Sequence, residues 1–538
     1  MTTIATAAAD WIAHDPDPQT AAELAACSPE ELDRRFSRPL TFGTAGLRGP
    51  LRGGPDAMNL AVVMRAAWAL AQVLKDRCLG GSHVVVGRDA RHRSDEFALA
   101  AAEVLAAEGF DVLLMLAAVP TPVIAYTVRH LPAAAGIQIT ASHNPPTDNG
   151  FKVFLDGGMQ IVSPSDSEIE AAMARAPYAD EIPRAAVEVG GLRQIHGYVE
   201  RAARVRRSTG SVRVALTPLH GVGGEYALDA LALAGFDDVH VVEDQFTPDP
   251  DFPTVSFPNP EEPGAVDALL SLAAAVDAEV AVALDPDADR CAVCVPSPDG
   301  WRMLSGDETG WLLGDYILSQ LEPGPVSEAA LVASTVVSSR MLAAIAAAHD
   351  AQHAETLTGF KWLARAQRPG NTLVYAYEEA IGYCVDPAAV RDKDGISAAI
   401  LVCDLVAALR DQGRTLLDAL DALARTHGVH VTGAVSRVVD DAETAMMRLR
   451  ATPPRELAGF SVGVEDLLDR RGQQRTDALV FTGDEGGTSI RVVVRPSGTE
   501  PKLKSYTEVR CAPTDDLDTA RAHAEKLSRE LIDAATRW

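Results

Sequence analysis

From about residue 83 onward, short apolar runs alternate with longer runs rich in Ala and Leu. His83–Asp89 (HVVVGRD) reads as a buried strand, Asp95–Phe110 as a helix and Asp111–Leu116 as the next strand. The same order recurs: Val212–Thr217, helical Gly224–Ala234, then Asp238–Glu243. Helical Ala265–Ala275 precedes the strand-like Val280–Leu284, and Ala330–Ser338 precedes helical Arg340–Ala348. Such β-α-β alternation predicts α/β domains with buried sheets. Past Thr426–Gly433 the pattern changes. Ser489–Arg495 (SIRVVVR) is a strong strand and Asp516–Thr536 a polar helix, so the C-terminal stretch reads as α+β.

The chain has 538 residues. At roughly 100–200 residues per domain this gives about three to five domains. The composition shifts place them at 1–208, 209–310, 311–430 and 431–538. The expectation is three similar α/β domains with mixed sheets plus a C-terminal α+β domain.

Charge narrows the partners. The formal net charge is −27, which repels nucleic acid and anionic membrane. Cations that bind an anionic substrate must then be locally concentrated. The N-terminus lacks a basic leader, and the apolar run Val112–Val128 is broken by Pro120 and Pro122. Seven cysteines without a secretory start point to a reduced, cytoplasmic protein. Cys291 and Cys294 have redox spacing, but in a strand residues three apart face opposite ways. They read as core thiols.

Chemistry concentrates in a few segments. In Ala281–Arg290 (AVALDPDADR), Asp285, Asp287 and Asp289 share one face of an extended segment. Three such carboxylates repel unless a cation joins them, and all-oxygen ligation suits Mg²⁺ or Mn²⁺. An EF-hand would need Gly at 290 and Glu at 296, but Arg290 and Pro296 stand there. Val492–Tyr506 (VVVRPSGTEPKLKSY) offers Arg495, the hydroxyls of Ser497 and Thr499, and amides at Gly498 and Thr499, a phosphate cradle. Thr41–Gly54 brings glycines at 43, 46 and 49, suited to close approach to a ligand, with Arg48 and Arg52. Tyr377–Gly395 adds Glu378 and Glu379 for sugar hydroxyls, and Arg391 and Lys393 for a phosphate. Thr356–Trp362 (TLTGFKW) puts Thr358, Gly359 and Lys361 in a loop.

Thr140–Phe154 (TASHNPPTDNGFKVF) sets Ser142 beside His143. Adjacent residues do not give the geometry of a Ser-His-Asp hydrolase, and no GxSxG elbow is present. A metal triad, a phosphate cradle and scattered cations point instead to phosphoryl transfer, which needs positioning and charge neutralisation. Ser142 is then a phosphate carrier. One phosphate oxygen would meet the metal, and His143 and Lys152 the others.

These segments together resemble the α-D-phosphohexomutases, the phosphoglucomutase/phosphomannomutase superfamily. TASHNPPTDNGFKVF looks like the phosphoserine loop, DPDADR the metal loop, EEAIGY the sugar loop and RPSGTEPKLKSY the phosphate loop, with FGTAGLRG as the N-terminal motif. The resemblance implies four domains around a central cleft and a metal site of Ser142, Asp285, Asp287 and Asp289 that takes Mg²⁺. It implies that phosphoserine 142 and a hexose phosphate exchange a phosphate through a hexose 1,6-bisphosphate, which also serves as activator. Arg48, His143, Lys152 and Arg290 would surround the reacting phosphate, with Lys393 a candidate acid/base or phosphate contact. Thr358, Gly359, Glu378 and Ala380 would line the sugar. Arg495, Ser497, Gly498 and Thr499 would grip the other phosphate. Partners would be small sugar phosphates, and the protein a monomer or homodimer.

One departure stands out. The family pattern Glu-x-Ser reads Glu378-Glu379-Ala380 here, followed by Ile381-Gly382-Tyr383. One hydroxyl contact is missing. The spacing through Gly395 resembles the phosphoglucomutase branch, including members that use pentose phosphates. Two other readings compete: a dehalogenase-type phosphotransferase with Asp285 as carrier, and a non-catalytic sugar-phosphate binding protein.

Overall fold

The computed structural model describes residues 4–43, 46–155, 157–321, 329–497 and 502–538. The chain divides into two compact units, Met1–Met303 with Gly382–Ala407, and Leu304–Ile381 with Ala408–Trp538. The segment Gly382–Ala407 thus belongs to the first unit, although its neighbours in sequence lie in the second.

The first unit holds two sheets. One runs in the order Leu47–Pro50, Asp148–Leu155, Ala135–Ile139, His83–Arg88, Asp111–Met115, Val189–Gly190, with Met159–Gln160 paired to the long strand Asp148–Leu155. Its three central strands, 83–88, 111–115 and 135–139, are parallel, whereas 47–50 and 148–155 are antiparallel to their neighbours. The sheet is therefore mixed. Helices Leu60–Asp76 and Ser94–Ala107 are buried over most of their lengths against its core, with Val63, Leu70, Phe97 and Ala101 fully covered. Nearly continuous burial of His83–Arg88 and Ala135–Ile139 is what central strands covered on both faces require.

The other sheet runs Gly300–Met303, Cys291–Ser297, Val280–Leu284, Val214–Thr217, Val239–Val241. Val280–Leu284 is parallel to Val214–Thr217 and antiparallel to Cys291–Ser297. Its carboxyl end delivers Asp285. Cys291 and Cys294 are buried and free, and burial pushes the Cys294 thiol up to about 12, as fits core thiols.

In the second unit, strands Gln352–Thr356, Ala329–Thr335 and Asn371–Glu378 pair in parallel in that order. Helix Gly306–Ser319 begins at a capping box in which Ser305 and Glu308 satisfy each other's backbone N–H. Strands Val429–Val438, Lys502–Cys511, Thr488–Pro496, Leu479–Glu485 and Gly463–Asp466 form an antiparallel sheet. Helix Leu517–Ala535 packs on it through Leu527 and Leu531. The C-terminal stretch is thus α+β, as its pattern predicts. Among the described residues no helix is long and apolar enough to cross a membrane.

Candidate active site

The first unit brings together residues that are far apart in sequence. Ser142 follows strand Ala135–Ile139 and adopts a left-handed backbone, φ 52°. Its N–H donates to Thr140 Oγ1 at 2.9 Å, which helps fix the turn. The side chain is buried, and Oγ donates to Asp285 Oδ2 at 3.0 Å. The serine and the first aspartate of the metal loop are therefore in direct contact across 143 positions.

Asp285, Asp287 and Asp289 are fully buried, and one carboxylate oxygen from each lies within 4.8 Å of the others. Asp287 Oδ1 and Asp289 Oδ1 have no hydrogen-bond partner among the described residues. Buried, orphaned carboxylate oxygens converging on one point fit a hard divalent cation. Burial, Asp287 and Asp289 push the Asp285 carboxyl well above the usual carboxylate range. Burial also opposes the charge on Asp289, but Lys152, Lys393 and Arg290 outweigh it and hold that carboxyl below its usual range.

The cations are arranged unevenly. Lys152 projects from the strand beside the serine loop and donates to Asp287 Oδ2 at 2.6 Å and Asp289 Oδ2 at 2.9 Å. Burial works against its ammonium, yet the two carboxylates outweigh burial and raise it. The structure thus places Lys152 on two carboxylates of the triad. Lys393 Nζ lies 3.4 Å from Asp289 Oδ2. Arg48 Nη1 donates to Asn144 Oδ1 at 2.9 Å, held by the pairing of Leu47–Pro50 with Asp148–Phe151. Arg290 Nη1 meets His143 Nδ1, and Ser142 Oγ lies 3.2 Å from the same nitrogen. Burial, Arg290 and Arg48 push the His143 imidazole well below its ordinary value, so it is neutral at pH 7. A neutral ring that accepts from Arg290 orients that guanidinium beside Ser142.

Two expectations from the N-terminal motif change. Gly46 has φ 92°, and a Cβ there would lie 2.1 Å from the Phe151 carbonyl oxygen. The glycine permits close approach to the neighbouring strand. Arg52 is engaged by Asp56 at 2.5 Å and Glu31 at 3.6 Å, and so is an ion-pair partner within its own domain. Thr44 and Ala45 lie outside the described residues.

The loop carrying Lys393 is fastened from several sides. Gln160 donates to Asp392 Oδ2 at 2.7 Å, and Tyr198 donates to Asp394 Oδ1 at 2.7 Å. Gly395 N–H donates to the Ala288 carbonyl at 3.2 Å. A Cβ on Gly395 would lie 2.3 Å from the Arg290 carbonyl oxygen, so only glycine lets this loop lie on the metal loop. Thr121 adds a further support: its N–H donates to the Asp287 carbonyl at 2.9 Å and its hydroxyl to Asp287 Oδ2. Sequence reasoning missed Thr121, Gln160 and Tyr198. No local signal marks them, because each acts on a partner more than 160 positions away.

In the second unit, Glu378 ends strand Asn371–Glu378 and is buried. Glu379, expected among the sugar ligands, has its carboxylate taken by Thr335 Oγ1 at 3.1 Å and Ser338 Oγ at 2.9 Å. Ala380 follows with no polar side chain. Among the described residues Thr358 Oγ1, which is buried, has no hydrogen-bond partner, and Gly359, at φ 108°, starts the short helix Phe360–Leu363. Arg495 Nη2 lies 3.3 Å from the Tyr506 hydroxyl, while its buried Nε has no hydrogen-bond partner among the described residues. Ser497 N–H donates to the Lys502 carbonyl at 2.8 Å. Gly498 and Thr499, expected in the same cradle, lie outside the described residues.

The sequence matches the phosphoglucomutase/phosphomannomutase alpha/beta/alpha domains I, II and III over residues 39–179, 196–299 and 305–427, and the C-terminal domain over 446–522. It is 41% identical over 487 residues to a protein of Haemophilus influenzae named "Probable phosphomannomutase", covering 88% of this chain and 98% of that one. The chain belongs to the phosphoglucomutase/phosphomannomutase family. It is therefore a phosphomutase, an intramolecular phosphotransferase. This phosphomutase is also 34% identical to the mouse phosphopentomutase, over 98% of this chain and 93% of that protein. Its fold is that of a phosphoglucomutase/phosphomannomutase family protein from Burkholderia thailandensis, with TM-score 0.69 at 21% identity over 91% of this chain and 96% of that one. Asp285, Asp287 and Asp289 of this phosphomutase form a triad able to hold a metal.

Proposed function

We propose that this phosphomutase interconverts hexose 1-phosphate and hexose 6-phosphate, glucose or mannose, through a phosphoserine at Ser142 and a hexose 1,6-bisphosphate. The observation that carries this is the 3.0 Å hydrogen bond from Ser142 Oγ to Asp285 inside the buried triad. Asp285, Asp287 and Asp289, with the phosphorylated Ser142, would hold Mg²⁺. When bound, Mg²⁺ neutralises charge on the phosphoryl group in transit.

The chain's own residues do the rest. In the first half-reaction the Ser142 Oγ–P bond breaks as a P–O bond forms to a sugar hydroxyl; the hydroxyl proton passes to a base, with Lys393 the candidate, and the departing Ser142 Oγ takes up a proton. In the second half the bond from the sugar oxygen to the other phosphorus breaks as Ser142 Oγ gives up its proton and bonds to that phosphorus; the freed sugar oxygen takes a proton, and the new product keeps the first phosphate. Arg48 and Arg290 flank the reacting phosphate, and neutral His143 holds Arg290 in place. Lys393 serves as acid/base or as a phosphate contact. Glu378 reads sugar hydroxyls together with Thr358, Gly359 and the Ala380 backbone, while Arg495 and Ser497 grip the phosphate that does not react. The catalyst needs priming, so a hexose 1,6-bisphosphate acts as activator by phosphorylating Ser142.

A second reading takes pentose 1-phosphates as substrates. It is favoured by Ala380, which lacks the hydroxyl expected for a sugar contact, and by the similarity to a phosphopentomutase. The test is kcat/KM for glucose 1-phosphate, mannose 1-phosphate and ribose 1-phosphate with Mg²⁺ and a bisphosphate primer. Preference for either hexose supports the first reading, and preference for ribose 1-phosphate the second. Turnover of none would refute both.

A further inference from the structure

Arg91 gathers the backbone of the serine loop onto one guanidinium. Nη2 donates to the Ser142 carbonyl at 2.6 Å and the Asn144 carbonyl at 2.5 Å. Nη1 donates to the Pro145 carbonyl at 2.7 Å and the Asp148 carbonyl at 3.3 Å. Four carbonyls spread over seven positions thus converge on one planar fork. An ammonium has neither the donors nor the reach to replace it.

Arg91 is itself fixed. Its N–H donates to Asp89 Oδ1 at 2.9 Å, and its Nε lies 3.4 Å from Asp89 Oδ2. The guanidinium carbon sits 4.9 Å from the centre of the Phe252 ring, and the residue is only 4% exposed. Ser94 Oγ donates to Asp89 Oδ1 at 2.6 Å, and Asn149 Nδ2 donates to Ser94 Oγ and the His92 carbonyl, each at 3.0 Å. The start and end of the serine loop are therefore both tied to the 89–94 segment.

This matters because Ser142 holds a left-handed backbone that a non-glycine residue adopts only when its surroundings over-determine it. The Ser142 carbonyl is one of the four that Arg91 binds. Every hydrogen bond of Arg91 described above is to backbone or to Asp89, so the residue acts on the loop's path and not on its side chains.

We propose that Arg91 is a positioning residue that locks the 142–148 loop in the conformation presenting Ser142 Oγ to the aspartate triad. The proposal rests on Ser142 being the phosphate carrier. Loss of the guanidinium slows phosphoryl transfer while leaving sugar-phosphate binding intact.

The test compares full-length Arg91→Lys and Arg91→Ala with the unaltered protein. Three readouts are taken: steady-state kinetics, amide hydrogen exchange of peptides covering 140–150, and rescue of Arg91→Ala by millimolar guanidinium ion. We expect kcat to fall on the order of 100-fold, as misplacement of a reacting group by about 1 Å can do, with KM nearly unchanged. Exchange should quicken within 140–150 alone, and guanidinium should restore part of the turnover to Arg91→Ala but none to Arg91→Lys. Unaltered kcat in either variant would overturn the proposal. So would exchange that quickens throughout the 39–179 domain, or failure of both variants to fold, since either assigns Arg91 to bulk stability. If Ser142 proves unphosphorylated while the local exchange effect stands, the carrier role falls and the anchoring survives.

Discussion

Lys152 places its ammonium 2.6 Å from the Asp287 carboxylate, 135 positions away in sequence. It also reaches Asp289 at 2.9 Å, so one lysine balances two fully buried carboxylates. Removing one partner of a buried ion pair costs about 3–5 kcal/mol, because the remaining charge is left uncompensated. Lys152→Met should therefore lower the melting temperature in metal-free buffer. Mg²⁺ should recover much more of that loss than it adds to the unaltered protein, since the cation would take over the neutralising role. Thermal shift with and without Mg²⁺ reads this directly, and equal Mg²⁺ shifts in the two proteins would contradict it.

Ser142→Ala removes the hydroxyl that donates to Asp285 and leaves the rest of the loop in place. The variant should stay folded, lose all mutase turnover and take up no phosphate from a bisphosphate primer. Phosphopeptide mapping of the unaltered protein should find phosphate on Ser142. Phosphate on Asp285, or near-normal turnover by the alanine variant, would rule out the serine carrier.

Gly395→Ala tests the backbone-on-backbone contact between the Lys393 loop and the metal loop. The new Cβ would meet the Arg290 carbonyl at 2.3 Å and the Ala288 carbonyl at 2.9 Å, so the loop must move. Overpacking of this kind costs about 1–3 kcal/mol. A displacement of about 1 Å at the site can cost on the order of 10²-fold in rate. We expect kcat to drop further than the loss of stability accounts for, with unaltered turnover as the contrary result.

Asp307 supplies a pH dependence in the second unit. Burial pushes its carboxyl up to about 7, against hydrogen bonds from Ser339 N–H and the Tyr377 hydroxyl that favour the charged form. The folded value lies above the unfolded one, near 3.9. The folded state then binds the proton more tightly, so this contribution is complete below about pH 4 and is lost as pH rises through about 7. Asp307→Asn keeps an acceptor for both donors without titrating. The stability of the unaltered protein relative to Asp307→Asn should fall between pH 5 and pH 8, by at most about 1.4 kcal/mol per pH unit. Parallel pH profiles for the two proteins would count against this account.

The elements nearest the site were legible because their signals are local. Runs such as Val280–Leu284 and Ala135–Ile139 are uniformly apolar, as central strands buried on both faces must be. Asp285, Asp287 and Asp289 could be read as a metal loop from their spacing alone, and their oxygens do converge. The loop roles of Glu379, Gly46 and Arg52 were not legible. Each depends on a partner brought by another element: the Thr335 and Ser338 hydroxyls, the Phe151 carbonyl, and Glu31 with Asp56.

By itself the sequence determined the α/β and α+β character, the family, and which short segments hold the chemistry, because periodicity, turn residues and motif spacing are properties of neighbouring positions. Only the tertiary structure decided which groups neutralise one another. It set Ser142 against Asp285, Lys152 between Asp287 and Asp289, and Arg91 beneath the serine loop. The reason is electrostatic. A buried charge or carbonyl must find its partner wherever packing supplies one, and packing joins segments without regard to their separation along the chain.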